Sequence, residues 1–223
     1  MNYLDFVSSL QTGNGPTTER LMIAIDVSPS MADSDWPPSR LKAATEAAAA
    51  LIRRKREIAP SDEVGIVAYA GSANTVCKPM PVEGDAKLLK ALRWLRTGSG
   101  TSISAALVAA QKHLPTTSGA SWWDRLVKID SESRPERVQR IILLTDGHHN
   151  SGKDPEPIAR TLKSVGVCID CIGIGGSPSA VDEALLKRIA SQHRDGRTPR
   201  YVFIGDKGSL IQKFEELAGR ITR

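Results

Sequence analysis

The sequence predicts an α/β fold with a doubly wound, mostly parallel central sheet and helices on both of its faces. Short apolar runs alternate with stretches of helical length along nearly the whole chain, a pattern typical of β-α-β crossover units. Residues 141–144 are continuously apolar, as expected of a strand that is covered on both sides. With 223 residues, 40% of them hydrophobic, the chain is long enough to form one domain with its own core.

Six strands are predicted from short apolar runs that are bounded by turn-forming residues. The third run contains Pro79 and Pro81, which lack the amide hydrogen that a central strand must donate, so this strand is predicted at an edge. The strands are expected at residues 20–26, 63–70, 75–82, 138–144, 167–174 and 201–204.

Six helices are predicted from apolar residues spaced three and four positions apart. The first is Ala-rich and begins after Pro38 and Ser39, a combination typical of a helix start. The helices are expected at residues 40–58, 85–95, 101–114, 155–165, 180–191 and 209–221.

The composition argues against several classes of protein. Thirty Lys and Arg residues against 25 Asp and Glu give a net charge of +5, which is small for a nucleic-acid-binding protein, so no nucleic-acid partner is expected. No apolar run reaches the roughly 20 residues of a membrane span, and residues 1–15 show no secretory signal. Three cysteines do not make a disulfide framework, which indicates a reducing, cytoplasmic location.

Oxygen-bearing side chains are concentrated in three of the predicted loops. Asp26, Ser28 and Ser30 come at the end of the first strand, Asp146 follows the fourth, and Thr101 opens a helix behind a Gly-Ser-Gly turn. The carboxyl ends of parallel strands meet at one edge of the sheet, where ligands bind in folds of this class. We therefore expect these five side chains to lie close together.

The chemistry of this set favours a hard divalent cation. Mg²⁺ prefers oxygen ligands in octahedral geometry and keeps several waters, and Mn²⁺ and Ca²⁺ are the alternatives. Three of the five side chains are neutral hydroxyls, so the cation stays electrophilic and accepts a carboxylate from outside the chain. The sequence thus predicts a metal site that recognises an acidic group.

These residues resemble the metal-ion-dependent adhesion site of the von Willebrand factor A (integrin I-like) domain, which has a Rossmann-like fold. The family motif combines Asp-x-Ser-x-Ser, a distant Thr and Thr-Asp-Gly, and the resemblance covers residues 19–220. Four segments are most similar to bacterial aerotolerance-type (Bat) proteins, whose flanking transmembrane helices have no counterpart in this sequence. The four segments are residues 31–41, 63–73, 98–107 and 167–175.

The resemblance implies a metal-dependent protein–protein interaction module and not an enzyme. In the family, the residues matching Ser28, Ser30 and, with ligand engaged, Thr101 coordinate the cation directly, whereas those matching Asp26 and Asp146 act mainly through waters. An acidic residue of a partner protein fills the remaining position, and changes in coordination move the last helix. Bacterial members often work beside AAA-type ATPases, so such a system is an expected partner.

The competing interpretation is a metal-assisted hydrolase or nucleotide-binding enzyme that uses the same loops. Residues 147–153 match the Gly-x4-Gly-Lys part of a phosphate-binding loop, but Asp154 stands where a Ser or Thr should bind Mg²⁺. Two prolines then delay the helix whose N-terminus would hold phosphate. The only candidate general bases are His148 and His149, which we interpret as loop residues that tune partner choice.

Two further patterns receive structural interpretations. Cys168 and Cys171 lie three positions apart on a predicted strand, which predicts small buried residues on opposite faces and no shared metal. Asp170 between them is given no role.

The basic run at residues 53–56 is predicted to be a solvated end of the first helix, where cations complement the helix dipole.

The chain is predicted to form one domain at residues 19–223 behind an N-terminal extension at residues 1–18 that contains a short amphipathic helix. The polar residues 115–136 are predicted as an insertion on the edge opposite the metal site, because the helix before them starts at the metal edge. Trp122 and Trp123 lie in this insertion. Packing onto their own domain is the main interpretation, and a second contact face formed together with the basic run at residues 53–56 is the alternative.

Overall fold

The computed structural model describes residues 18–114 and 137–219, which form a six-stranded sheet with helices on both faces. The strands are β1 (Thr18–Asp26), β2 (Glu63–Tyr69), β3 (Ala73–Pro81), β4 (Arg137–Thr145), β5 (Cys168–Ile174) and β6 (Tyr201–Ile204). They are ordered β3-β2-β1-β4-β5-β6, with β3 antiparallel at one edge and the other five parallel. The predicted fold class and the edge position of the third strand are confirmed.

Helices cover the sheet in two layers. They are α1 (Arg40–Ile58), α2 (Ala86–Arg93), α3 (Ile103–Gln111), α4 (Glu156–Ser164), α5 (Glu183–Ile189) and α6 (Lys207–Leu217). The core on one face contains residues of α1, α2 and α6, and the core on the other contains residues of α3, α4 and α5. Along β1, Ile23 and Ile25 belong to the first core and Met22 and Ala24 to the second, the alternation expected of a strand buried on both faces.

Several helices start at a capping residue that differs from the predicted start of the helix. Ser102 caps α3 by accepting a hydrogen bond from the amide of Ala105 at 3.3 Å. Asp182 caps α5 by accepting from the amide of Leu185 at 2.9 Å, and a separate 3₁₀ turn precedes it at Pro178–Ala180. The helix predicted over residues 180–191 is therefore present but shorter, at Glu183–Ile189. Among the described residues, no helix combines the length and apolar character needed to cross a bilayer.

The switch point of the sheet lies between β1 and β4. From β1 the sheet continues through β2 and β3 in one direction, and from β4 through β5 and β6 in the other. At such a point the connecting loops diverge and leave a crevice beyond the carboxyl ends of the strands. β1 ends at Asp26 and β4 at Thr145, so the fold places two of the three predicted ligand loops at this crevice.

The basic run at residues 53–56 is not uniformly solvated. Its three arginines are exposed, but Lys55 is fully buried. The Lys55 ammonium forms ion pairs with Glu19 and, at 2.8 Å, with Asp62, and it donates to the carbonyl of Ala218 at 3.2 Å. The predicted solvated helix end is wrong at Lys55, because this face of the last turn of α1 packs toward β1 and the end of α6.

Asp170 on β5 has a structural role that sequence reasoning did not assign. Its carboxylate lies 2.6 Å from Nε of Arg140 and 2.7 Å from Nε of Arg200. Of its cysteine neighbours, Cys171 is buried in the core and Cys168 is half-buried, and both are free thiols. Burial raises the pKa of Cys168 to about 11 and that of Cys171 further. The prediction of a buried residue is confirmed for Cys171 and holds only in part for Cys168.

The predicted helix at residues 1–10 and the predicted insertion at residues 115–136, including Trp122 and Trp123, lie outside the described residues. The chain on both sides of the insertion lies at the edge formed by the amino ends of the strands. The carbonyl of His113 accepts from Nη1 of Arg20 at 3.2 Å, and Arg137 is in register with Thr18.

Candidate metal centre

Three of the predicted ligands share hydrogen bonds at the carboxyl edge of the sheet. The hydroxyl of Ser30 donates to Oδ1 of Asp146 at 2.8 Å, and that of Ser28 donates to the same oxygen at 3.3 Å. The two hydroxyl oxygens lie 3.2 Å apart. Neighbouring ligands in an octahedral Mg²⁺ shell with bonds of about 2.1 Å are about 3 Å apart. These three oxygens therefore have a spacing that fits such a cation.

Asp26 lies at the base of this group and orders the loop above it. Its Oδ1 accepts from the amide of Ser28 at 2.8 Å, and its Oδ2 accepts from the hydroxyl of Thr145 at 2.7 Å. Asp26 is fully buried, and this burial raises its pKa to about 6 although the hydrogen bonds act in the opposite direction. Among the described residues no cationic side chain pairs with this carboxylate, so a divalent cation would supply the missing charge compensation.

Thr101 approaches the same place from the third loop. A Cβ built on Gly147 would lie 3.8 Å from Oγ1 of Thr101 and 4.0 Å from Oγ of Ser30, so both hydroxyls flank one glycine. Asn150 makes two hydrogen bonds to the backbone of Thr101. Its side-chain Oδ1 accepts from the Thr101 amide at 2.8 Å, and its backbone amide donates to the Thr101 carbonyl at 3.0 Å. The missing side chain at Gly147 leaves room between the hydroxyls.

Backbone hydrogen bonds fasten the Gly-Ser-Gly turn before Thr101 to its neighbours. The amide of Gly98 donates to the carbonyl of Val27 at 2.6 Å, and the amide of Gly71 donates to the carbonyl of Ser99 at 2.6 Å. Val27 belongs to the loop that carries Ser28 and Ser30, so the first and third ligand loops support each other directly. The site is thus held by structure that does not depend on a ligand.

Arg40 is a site residue that sequence reasoning missed. Its Nη1 donates to Oδ2 of Asp146 at 3.0 Å, the oxygen opposite the one that accepts from the serines. Asp35 holds the guanidinium through Nε at 2.9 Å and Nη2 at 2.8 Å, and these carboxylates raise the pKa of Arg40 further above its usual value. A cation in the first turn of α1 opposes the helix dipole, and that unfavourable position is the signal that could have identified it.

The loop at residues 147–153 is not arranged as a phosphate cradle. The amides of Asn150 and Ser151 both donate to the carbonyl of Thr101, at 3.0 and 3.3 Å. A phosphate-binding loop instead directs successive amides at the ligand. The Gly-x4-Gly-Lys pattern in this chain therefore corresponds to a loop that positions Thr101.

The two histidines of this loop have different surroundings. Nδ1 of His149 accepts from the amide of Ile103 at the start of α3, at 3.1 Å. His148 is exposed, with Nε2 3.4 Å from the carbonyl of Ser179. Over the described residues, no group of three or more His, Cys, Asp and Glu side chains could hold a metal. The candidate centre therefore depends on its hydroxyl oxygens.

Comparisons with known sequences agree with this geometry. A family model, the von Willebrand factor type A domain, matches residues 21–217. A UPF0353 protein of Mycolicibacterium paratuberculosis is 32% identical over 189 residues, with coverage of 76% of this chain and 52% of the relative. The chain thus spans about half the length of the curated relatives that it matches.

Solved structures have the same fold. BatB from Bacteroides thetaiotaomicron is 20% identical, with a TM-score of 0.63 and coverage of 89% of this chain and 96% of that one. The proximal thread matrix protein 1 of the mussel byssus, solved with a zinc-occupied MIDAS motif, is 17% identical, with a TM-score of 0.67 and coverage of 91% and 47%. The family match extends over nearly all of the described sheet and helices, and the chain therefore belongs to the von Willebrand factor type A domain family.

Proposed function

We propose that this domain binds a divalent cation, Mg²⁺, and uses it to recognise an acidic side chain of a partner protein. The observation that carries the proposal is the convergence of the Ser28 and Ser30 hydroxyls on one oxygen of Asp146, with oxygen–oxygen distances of 2.8 to 3.3 Å. The proposed ligands, direct or through water, are Asp26, Ser28, Ser30, Thr101 and Asp146. The zinc-occupied MIDAS motif of the mussel protein supports a divalent metal in a site of this class.

The charges of the centre favour an anionic ligand. Asp26 and Asp146 together carry two negative charges, which balance a divalent cation without exceeding its charge, and the three hydroxyls add none. Arg40 adds a positive charge beside Asp146. A cation that its protein ligands do not over-neutralise attracts a further anion, and a carboxylate supplies the oxygen that hard cations prefer.

Isothermal titration with Mg²⁺ and Mn²⁺ tests the metal site. We expect binding to the wild-type domain and no heat from Asp26→Ala or the size-matched Asp26→Asn, because both variants lose the buried negative charge. Asp154→Asn is the matched control, since Asp154 is exposed and lies beyond the ligand loop. Equal heats from the wild type and both Asp26 variants, with unchanged circular dichroism, would contradict the proposal.

Affinity capture from a native lysate, with and without EDTA, tests the partner. We expect a protein that the wild-type domain retains only without EDTA and that Asp26→Asn does not retain. Exchanging the responsible Asp or Glu of that protein for Asn or Gln should abolish its retention. An AAA-type ATPase is the first candidate, on the basis of the bacterial members of the family. A partner retained equally in EDTA and by Asp26→Asn would refute metal-dependent recognition.

We further propose that the domain is not catalytic. The hydroxyls of Ser28 and Ser30 both donate to Asp146, a carboxylate that in the proposed centre faces the cation, and Nδ1 of His149 accepts from the amide of Ile103. With Asp146 engaged by the cation, no other general base accepts from these hydroxyls among the described residues. Phosphatase assays with and without Mg²⁺ should show no turnover. Turnover that Asp26→Asn abolishes would instead establish the hydrolase alternative.

A further inference from the structure

We propose that the groove between α1 and α2 is a second binding surface, which accepts an acidic polypeptide segment independently of the metal centre. The groove has a volume of about 740 Å³ and lies between the C-terminal half of α1 and α2 with the residues that follow it. It continues toward the start of α1 as a smaller hollow of about 290 Å³. Arg53, Leu89 and Arg93 line both parts, so they form one continuous surface.

The groove has the length of a short peptide. Arg56 lines one end and Lys42 the other, on the same helix. At about 1.5 Å per residue, this stretch of α1 measures roughly 20 Å. An extended chain advances about 3.3 Å per residue, so about six residues of a partner fill it.

The charge of the groove is strongly positive. Four exposed basic side chains line the larger part of the groove and have no carboxylate of the described residues at ion-pair distance. They are Arg53, Lys90, Arg93 and Arg96. The larger part contains one carboxylate, that of Asp85, which is paired with Arg56 at 2.9 Å. Four like charges on one concave face repel each other, and a ligand with carboxylates relieves this repulsion while gaining charge-assisted hydrogen bonds.

Trp94 adds an aromatic contact to this basic surface. Its side chain is 67% exposed, the largest fraction of any large hydrophobic residue that the structure describes. The guanidinium carbon of Arg96 lies 5.8 Å from the centre of a Trp94 ring. Trp and Arg are the residues that most often dominate the binding energy of protein interfaces. An exposed Trp between basic side chains therefore favours a protein ligand.

The lining of the groove favours a polypeptide over a nucleic acid. Leu89, which lines both parts of the groove, is half-buried and offers an apolar contact for which a phosphodiester chain has no matching group. Proteins hold single-stranded nucleic acids with several aromatic side chains on which successive bases stack. Among the described residues that line the groove, Trp94 is the one aromatic. A segment that alternates acidic and apolar residues matches all of these features.

Fluorescence anisotropy in EDTA tests this surface with a labelled peptide of about twelve residues in which Glu and Leu alternate. We expect binding that Arg53→Glu/Arg93→Glu weakens at least about tenfold and Trp94→Ala about fivefold, and that is lost when Gln replaces Glu in the peptide. The matched control is Arg54→Glu/Arg160→Glu, which changes the net charge equally at exposed residues outside the groove. It should bind as the wild type does.

Three results would overturn the proposal. Equal weakening in the groove variant and the control would mean general charge attraction and no specific groove. Tighter binding of a single-stranded RNA or of phosphatidylserine vesicles, lost in the groove variant, would assign the surface to those ligands instead. Peptide binding that Asp26→Asn abolishes would place the peptide at the metal centre. Circular dichroism and thermal unfolding of each variant identify any loss that is due to misfolding.

Discussion

At the scale of single residues, the carboxylate of Asp146 is shared between two kinds of donor. One oxygen accepts from the hydroxyls of Ser28 and Ser30, and the other accepts from the guanidinium of Arg40. The side chain of Arg40 is 12% exposed, so solvent screens its charge only partly. A cation that enters beside Asp146 is therefore repelled by Arg40, and we infer that Arg40 limits the metal affinity of the proposed centre.

Exchange of Arg40 for Gln is expected to tighten Mg²⁺ binding about tenfold, because the positive charge beside Asp146 is removed. Arg40→Lys keeps the charge and is the matched control, with an expected change of less than about threefold. Isothermal titration of the three proteins measures the difference. Weaker binding by both variants than by the wild type would show instead that the guanidinium is needed to orient Asp146.

The site residues that the sequence predicted lie at the ends of strands, whereas those it missed are placed by the packing of a helix against other elements. Asp26, Ser28 and Ser30 follow one strand within five positions, so their shared location depends only on where that strand ends. Arg40 reaches Asp146 over 106 positions of sequence, and Lys55 reaches Glu19 over 36. Such pairs form when separate elements pack together, and burial of a charge on a basic helix end has no local signature. Contacts that depend on how a helix packs onto the sheet were therefore not predicted, whereas the contact of Ser28 and Ser30 with Asp146 follows from strand ends that share one edge.

At the scale of elements, Lys55 ties together three parts of the first layer. It pairs with Glu19 in β1 and with Asp62 before β2, and it donates to the carbonyl of Ala218 after α6. Arg140 of β4 extends this contact, with Nη1 2.8 Å from the carbonyl of Leu217. These bonds fasten the end of α6 to the amino-terminal edge of the sheet, at the edge opposite the metal centre.

Replacing Lys55 with Met is expected to lower the free energy of unfolding by about 3–5 kcal/mol, because it removes the buried cation that pairs with both Glu19 and Asp62. For a domain of this size, that corresponds to a fall in Tm of about 10 °C. Arg54→Met removes an exposed cation from the same helix turn and should change stability by less than about 0.5 kcal/mol.

Urea denaturation and thermal unfolding of both variants measure this difference. Adding Glu19→Gln and Asp62→Asn to Lys55→Met should recover part of the loss, since the two buried negative charges that faced Lys55 are then removed as well. A Lys55→Met protein as stable as Arg54→Met would contradict the view that this ion cluster fastens α1 and the end of α6 to the sheet.

Element types were more predictable than element ends. Each of the six strands and six helices described here overlaps a predicted one, because apolar periodicity reports which faces are buried. The ends of α3, α5 and α6 follow the capping residues Ser102, Asp182 and Asp206. Several Ser and Asp residues near each predicted start could serve as caps, and the backbone conformation selects one of them.

At the scale of the whole molecule, the candidate centre joins segments that are far apart in sequence. Ser28 and Asp146 are separated by 118 positions, and Thr101 comes from a third segment between them. The sheet brings the first two together at the switch point between β1 and β4, and backbone bonds to Val27 and from Asn150 fasten the third. In the unfolded chain these ligands are dispersed, so the proposed cation binds the native state only.

Binding to the native state alone predicts a stabilisation that depends on Mg²⁺ concentration. At a free concentration about 100 times Kd, the free energy of unfolding should rise by about 2.7 kcal/mol, which raises Tm by about 5–10 °C for a domain of this size. Asp26→Asn should show no rise and Asp154→Asn the full rise, in differential scanning calorimetry against matched ionic strength. An equal rise in all three proteins would mean that Mg²⁺ acts on the surface as a salt. A rise confined to the proteins with an intact Asp26 would mean that the stabilising Mg²⁺ binds specifically and that its binding depends on this buried carboxylate.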